Sequence, residues 1–238
     1  MDERTIVVVI PTYNERENIQ ALVEKIIELK IKELRIIIVD DNSPDGTGVL
    51  AETLSGEFSL SVIHRKSKDG LGTAYREAFN TLLKNEHPPD VIIQMDADLS
   101  HNPDDIPRFL EAIKHYDVVL GSRYISGGGI KNWNIFRLFL SRFSNFYARK
   151  VLLLPIYDLT GGFKCWKRTV LQNIDLEHTS SIGYNFQIET TFRAHRKGFR
   201  VGEIPITFTE RTFGKSKFSI PIIFESFWKV IKLRFNHE

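Results

Sequence analysis

The sequence predicts an α/β protein built on a Rossmann-like, mostly parallel central sheet flanked by helices, and two observations carry that prediction. Up to about Tyr124, short β-branched runs alternate with stretches whose apolar residues recur at helical spacing. The polar, turn-rich segments with the strongest chemical character stand just past the carboxyl ends of those runs, where open parallel sheets hold their ligands.

Residues 6–10 (Ile-Val-Val-Val-Ile) read as a buried strand that Pro11 ends, and Ile19, Leu22, Val23, Ile26 and Ile27 mark one helix face. Residues 36–39 give a second strand, followed by the turn Asp41-Asn42-Ser43-Pro44-Asp45-Gly46. A third strand covers 61–64, and Ala74, Ala78, Phe79, Leu82 and Leu83 line a helix. Residues 91–95 form a fourth strand, Ile106, Phe109, Leu110 and Ile113 the next helix face, and 118–120 a fifth strand. Strands and helices in alternation make βαβ units.

The second half is less regular. Glycines 127–129 read as a flexible connector, and 133–154 as an aromatic-rich helix with Phe136, Phe139, Phe143, Phe146 and Tyr147. A Gly161-Gly162 turn, a helix around 186–196, a strand near 202–208 and an apolar helix over Ile220–Phe235 complete the chain. No repeat or linker interrupts it. Residues 1–238 are therefore read as a single domain, with a regular half at 1–124 and a less regular half at 125–238 that carries amphipathic helices.

Composition bounds the function. The chain has 238 residues, 42% hydrophobic and 26% charged, an ordinary globular balance with enough length for a sizeable core. A net charge of +2 argues against nucleic acid as a partner. The lone Cys165 excludes an intramolecular disulfide and reads as a small buried hydrophobe. The N-terminus runs straight into a strand without the pattern of a signal peptide, and no window approaches the roughly 18 uninterrupted apolar residues of a spanning helix. The protein is expected to be cytoplasmic and, at most, peripheral on a membrane.

Asp96-Ala97-Asp98 carries the chemistry. Alternation would put Asp96 and Asp98 on one side of the strand end, and two carboxylates so close need a cation or a proton between them. Mg2+ or Mn2+, bridging carboxylate and substrate phosphates, answers that need, and the Ser100 hydroxyl can add a neutral ligand. The plainer alternative is a solvated pair capping the helix that starts near Pro103. In Pro11-Thr12-Tyr13-Asn14-Glu15, Tyr13 can stack on a base and Glu15 can accept from base or ribose donors, or Asn14 or Glu15 can simply cap a helix. In Val39-Asp40-Asp41-Asn42-Ser43 an acidic residue at a strand end can bind ribose hydroxyls or, equally, form a capping turn. No G-x-G-x-x-G follows the first strand, which removes a dinucleotide-dependent oxidoreductase.

Taken together, these segments resemble glycosyltransferase family 2, whose fold is GT-A. Gly121-Ser122-Arg123-Tyr124, Asp158-Leu159-Thr160-Gly161-Gly162-Phe163, Gly202-Glu203-Ile204-Pro205-Ile206-Thr207-Phe208, and Arg211 with Gly214-Lys215-Ser216-Lys217 resemble its dolichyl-phosphate mannose synthase branch. The resemblance covers nearly the whole chain. It implies GDP-mannose as donor, with Pro11, Tyr13, Glu15, Val39 and Asp41 holding guanosine. Asp96, Ala97 and Asp98 would hold the sugar diphosphate and a metal, with Asp98 and Ser100 among its ligands, although some members carry glutamine at that last position. It implies a polyprenyl or dolichyl phosphate acceptor, and a membrane anchor that this chain would borrow from a small partner subunit or replace by docking. The site of action would be the cytosolic face of the endoplasmic reticulum in a eukaryote, or the plasma membrane in a prokaryote.

A phosphate acceptor fits the cation pattern. A phosphomonoester is already ionised and needs cations rather than a general base. Arg123 is the expected catalytic cation beside Asp98, Arg137 and Ser141 join it at the acceptor phosphate, and Arg211 and Lys217 reach the donor from a basic, mobile loop. The arginines and the lysine among them are also candidates for ordinary surface cations. Glucose from UDP-glucose, polysaccharide extension (disfavoured by the missing Gln-x-x-Arg-Trp) and a non-catalytic nucleotide-sugar-binding subunit are the competing readings.

Overall fold

The computed structural model describes residues 4–177, 179, 183–210 and 220–235, with the backbone alone for Tyr184 and residues 220–226. Its strands are β1 (Ile6–Thr12), β2 (Leu34–Asp40), β3 (Leu60–His64), β4 (Val91–Gln94), β5 (Val118–Ser122), β6 (Gly129–Lys131), β7 (Lys164–Lys167), β8 (Val201–Pro205) and β9 (Thr207–Thr209). Its helices are α1 (Arg16–Glu28), α2 (Thr47–Ser55), α3 (Leu71–Lys84), α4 (Ile106–Ala112), α5 (Ile135–Leu152), α6 (Arg168–Asn173), α7 (Tyr184–Arg196) and α8 (Ile220–Phe235).

The β-branched runs pair into a 7-stranded sheet of order β3-β2-β1-β4-β7-β5-β8. Every neighbour pair in it is parallel except those of β7, which runs antiparallel to both β4 and β5. Alternation along β1 sends Val7 and Val9 to one face, where Tyr75 and Phe79 of α3 and Phe186 of α7 pack. Ile6, Val8 and Ile10 go to the other, against Ile19, Leu22 and Ile26 of α1 and Phe109 of α4. Both faces are covered, which is why β1 and β2 read as continuous apolar runs.

The expected fold is present, with corrections of detail. Pro11 does not end its strand: β1 continues to Thr12, with Pro11 in register with Val39 while pairing to β4 stops at Val9. Glycines 127–129 are not merely a connector, since Gly129 starts β6. The strand expected over 202–208 is split. β8 lies beside β5, Ile206 turns inward to donate its N–H to Ser122, and β9 pairs with β6 in a separate 2-stranded sheet. β4 stops at Gln94, so Asp96 and Asp98 lie on a loop and strand alternation does not relate them. The short α2, α6 and β7 go unpredicted.

Candidate functional site

Parallel pairing brings the carboxyl ends of β3, β2, β1, β4 and β5 to one edge of the sheet, and each is followed by a segment of chemical character. β7 contributes the other way round. Because it is antiparallel, its entry loop, residues 158–163, reaches the same edge between β4 and β5. Gly161 and Gly162 let that loop fit. A Cβ on Gly162 would stand 3.3 Å from both carboxylate oxygens of Asp96, and one on Gly161 would stand 3.2 Å from the Gly121 carbonyl.

At the nucleotide end, Asp40 is a turn-former: it accepts from Thr12 Oγ1 at 3.1 Å and from the Ser43 amide at 3.0 Å. Asp41 is buried and ion-paired with Arg65, which follows β3 and also donates to Glu77 at 2.9 Å. Burial pushes the Asp41 carboxyl up from its ordinary range, against the opposing pull of Arg65. Glu15 stands at the N-cap of α1 without capping through its side chain, and its carboxylate accepts from Asn18 at 2.8 Å. Tyr13 lies under Lys68 Nζ, 3.4 Å from the ring centroid. Pro11, Tyr13 and Glu15 are partly open, whereas the Val39 and Ala97 side chains are enclosed in the core.

The acidic loop is held from below. Asp98 is buried and accepts from the amide and the hydroxyl of Ser100, while Asp96 keeps a third of its side chain exposed. His101 accepts from the Asp96 amide through Nδ1 at 3.1 Å, and its other nitrogen lies 3.8 Å from the Asp96 carboxylate. Burial drives the imidazole pKa down to about 4, so the ring is neutral. It stacks on Phe163 at 4.9 Å and meets the edge of Phe208 at 5.6 Å. Among the described residues, no three His, Cys, Asp or Glu side chains gather as a metal site. A divalent ion held by Asp96 and Asp98 would complete its shell from substrate phosphates and water, as Mg2+ and Mn2+ commonly do, so the residues fit such an ion.

Across Phe208 lies the cationic side. Arg123 is buried, and its Nε and Nη2 close on the Asp158 carboxylate at 2.7 Å each, with Nη2 also 2.9 Å from Thr160 Oγ1. The two-point edge expected to grip a phosphate is therefore committed to Asp158. Arg137, in the first turn of α5, pairs with Glu210 and stacks on Trp133 at 4.0 Å. Ser141 is buried and accepts from the Tyr124 hydroxyl at 2.7 Å. Arg211 and Lys217, with the basic loop that holds them, lie outside the described residues. Arg65, Trp133 and Glu210 are given no site role by the sequence, and His101 and Phe208 enter it only as members of the acidic motif and of the motif at 202–208. The spacing of these five in the chain is unrelated to their meeting here.

The chain resembles known proteins over most of its length. A family model described as glycosyl transferase family 2 matches residues 7–175. A polyprenol monophosphomannose synthase of Mycolicibacterium smegmatis is 45% identical over 96% of this chain and 86% of its own length. An undecaprenyl-phosphate mannosyltransferase of Micrococcus luteus is 42% identical over 93% and 90%. Among solved structures, a Mycobacterium tuberculosis glucosyl-3-phosphoglycerate synthase in complex with Mn2+, uridine diphosphate and glucosyl-3-phosphoglycerate shares the fold. Its TM-score is 0.68 at 18% identity, covering 97% of this chain and 78% of that one. The chain belongs to glycosyl transferase family 2.

Proposed function

We propose that this protein transfers mannose from GDP-mannose to a polyprenyl phosphate with inversion, releasing GDP. One observation of geometry carries the reading: among the described residues, three buried carboxylates that a base-catalysed mechanism could call on, Asp41, Asp158 and Glu189, are each tied to an arginine. Asp41 is held by Arg65, Asp158 by Arg123 and Glu189 by Arg193. A sugar hydroxyl would need a base, whereas an ionised phosphate oxygen needs none. The names of the mycobacterial and micrococcal relatives point to the same chemistry, a mannosyl group and a polyprenyl-type phosphate.

In this reading a phosphate oxygen of the acceptor bonds to the anomeric carbon as the bond to the β-phosphate oxygen of GDP breaks, in one displacement. Pro11, Tyr13, Glu15, Val39 and Asp41 form the guanosine end, with Val39 acting through its backbone. Asp96, Asp98 and Ser100 would hold a Mg2+ or Mn2+ ion, which would supply positive charge to the departing diphosphate. Arg123, fixed in place by Asp158, orients the attacking phosphate, and Arg137 faces the acceptor. Arg211 and Lys217 come to the donor from the segment beyond Glu210. Residues 1–124 serve the donor and 125–238 the acceptor.

The acceptor's lipid calls for a membrane. No helix among the described residues is long and apolar enough to cross one. α5 instead turns Ser141, Asn145 and Ala148 inward and Ile135, Phe136, Phe139, Phe143 and Phe146 outward, with Phe136 71% exposed. Exposed phenylalanines flanked by Arg142, Arg149 and Lys150 suit peripheral docking at a cytosolic lipid surface, or the small anchoring subunit that the family resemblance implies.

The test is a panel of radiolabelled nucleotide sugars with polyprenyl phosphate and either metal, scored for organic-phase product. GDP-mannose should label the lipid and UDP-glucose should not. The free prenol should be inert, and the rate should fall below about pH 6 as the second phosphate proton returns. Efficient transfer to the prenol or to a sugar hydroxyl would overturn the mechanism.

A further inference from the structure

Two buried donors stand beside each other without acceptors. The Trp133 indole N–H and the Arg137 Nε–H make no hydrogen bond in the structure, although both atoms are shielded from solvent. Buried N–H groups are almost always paired, so an unpaired one points to a ligand or an ordered water at that spot. Here the two belong to one stack, since the Arg137 guanidinium lies over the Trp133 ring at 4.0 Å.

The local structure fixes this stack. Asn134 caps α5 by accepting from the Arg137 amide at 2.8 Å, which sets Trp133 just outside the helix and Arg137 in its first turn. Glu210 takes Arg137 Nη1, and Phe208 meets the indole edge-on at 5.4 Å. The indole also lies 5.5 Å from the Arg123 guanidinium, so one ring stands beside both arginines of the cationic side. Each guanidinium is already paired with a carboxylate, Arg123 with Asp158 and Arg137 with Glu210, so what the spot offers a ligand is its two vacant N–H donors. A phosphate oxygen, an acceptor with lone pairs for both, is a ligand that satisfies them.

We propose that Trp133 is a binding residue for the acceptor, its indole N–H and Arg137 Nε–H together seating one oxygen of the lipid's phosphate. This deepens the proposed mannosyl transfer and rests on it. The aromatic ring also protects its neighbour. Stacked on Arg137, it shields the guanidinium from water and so strengthens its hold on the anion. Phe136, the neighbour of Arg137 in α5, is exposed, as is Phe139 beyond it, and there the prenyl tail would leave the protein.

The experiment combines a resonance and a rate. Trp133 is one of 3 tryptophans; Trp166 already donates to Gln94 at 2.6 Å and Trp228 is exposed, so the indole 15N–1H signals are separable. Trp133→Phe identifies its signal by deletion. Titrating the full chain with geranyl phosphate should move that signal downfield, and geraniol should not move it. Inorganic phosphate should act only at much higher concentration. In turnover, Trp133→Phe, which keeps the stack and loses the N–H, should raise the KM for polyprenyl phosphate about tenfold. The KM for the nucleotide sugar should stay unchanged. Trp133→Leu, which loses the stack as well, should be worse, with a melting curve run to confirm folding.

An unmoved signal would overturn the seat and leave the donors to water. Movement by GDP-mannose alone would assign it to the donor, and equal response to inorganic phosphate would remove the lipid. A merely structural Trp133 would shift both KM values or neither. Because the titration needs no turnover, it stands even if the panel of sugars refutes mannosyl transfer.

Discussion

The same three strands, β5, β7 and β8, are tied together by a carboxylate at each end, and the two ties are built differently. At the site edge, Asp158, in the entry loop of β7, grips Arg123 at the exit of β5 through its carboxylate, while its amide donates to the Glu203 carboxylate of β8 at 2.9 Å. At the far edge, Asp117 precedes β5 and accepts from Lys167 at the end of β7 at 2.9 Å and from the amide of Arg200, before β8, at 2.9 Å. Asp158 is fully buried with an arginine 7% exposed, whereas Arg200 is 63% exposed. A pair removed from water loses much hydration and is costly to break, while a pair open to water is worth little. The far tie can only staple strands. The site tie also holds a cation beside the acidic loop, so breaking it should disturb chemistry as well as stability.

The largest effect separates chemistry from stapling. Asp98→Ala should cost at least about a thousandfold in turnover, roughly 4 kcal/mol of barrier. Its stability should fall by only about 1 kcal/mol, the loss of the Ser100 contacts. Wild-type turnover with either metal would remove Asp98 from the site. Next comes Asp158→Asn, which leaves Arg123 buried beside a neutral amide. About 3–5 kcal/mol of unfolding free energy should go, together with most of the activity. Arg123→Lys keeps the charge and loses the fork, so stability should fall by less, with turnover falling further than donor affinity. Equal loss of donor binding would move Arg123 to the nucleotide.

The nucleotide half was legible because buried parallel strands and amphipathic helices leave regular apolar spacing, and β1, β2, β4 and β5 were found within a residue or two. β7 was hidden by its own composition. Lys164-Cys165-Trp166-Lys167 shows no strand-like run, since Lys164 is buried with its amine bonded to the Gln187 carbonyl at 2.6 Å and to Thr191 at 2.9 Å. Burial pushes that amine well below the ordinary lysine range, a circumstance no local pattern announces. The site followed the same division. Asp96, Asp98 and Asp41 stand at strand ends and declare themselves. Trp133, Phe208 and Glu210 meet only because β9 leaves the main sheet to pair with β6, a long-range event. The commitment of Arg123 to Asp158 depends on antiparallel β7, which likewise has no sequence signal.

The smallest effect tests the far tie by its pH dependence. Burial alone would raise the Asp117 carboxyl, but hydrogen bonds from Arg200 and Lys167 outweigh it and hold the group down at about 2. A carboxylate depressed in the folded state stabilises the fold above its unfolded value, near 3.9, and that contribution drains away as pH falls through about 2. The full shift would be worth somewhat over 2 kcal/mol, and the solvent around Arg200 and Lys167 reduces it to about 1–2 kcal/mol. Asp117→Asn should therefore unfold more easily than wild type by that amount in urea at pH 7. Near pH 2.5 the gap between the two proteins should narrow to less than half. Turnover at 25 °C and neutral pH should be unchanged, because the strands stay paired and the site lies at the opposite edge. A gap that persists undiminished at pH 2.5 would mean that Asp117 acts through shape rather than charge. A loss of turnover in a folded Asp117→Asn protein would show that the two ends of the strands are coupled, and the division between stapling and chemistry would fall with it.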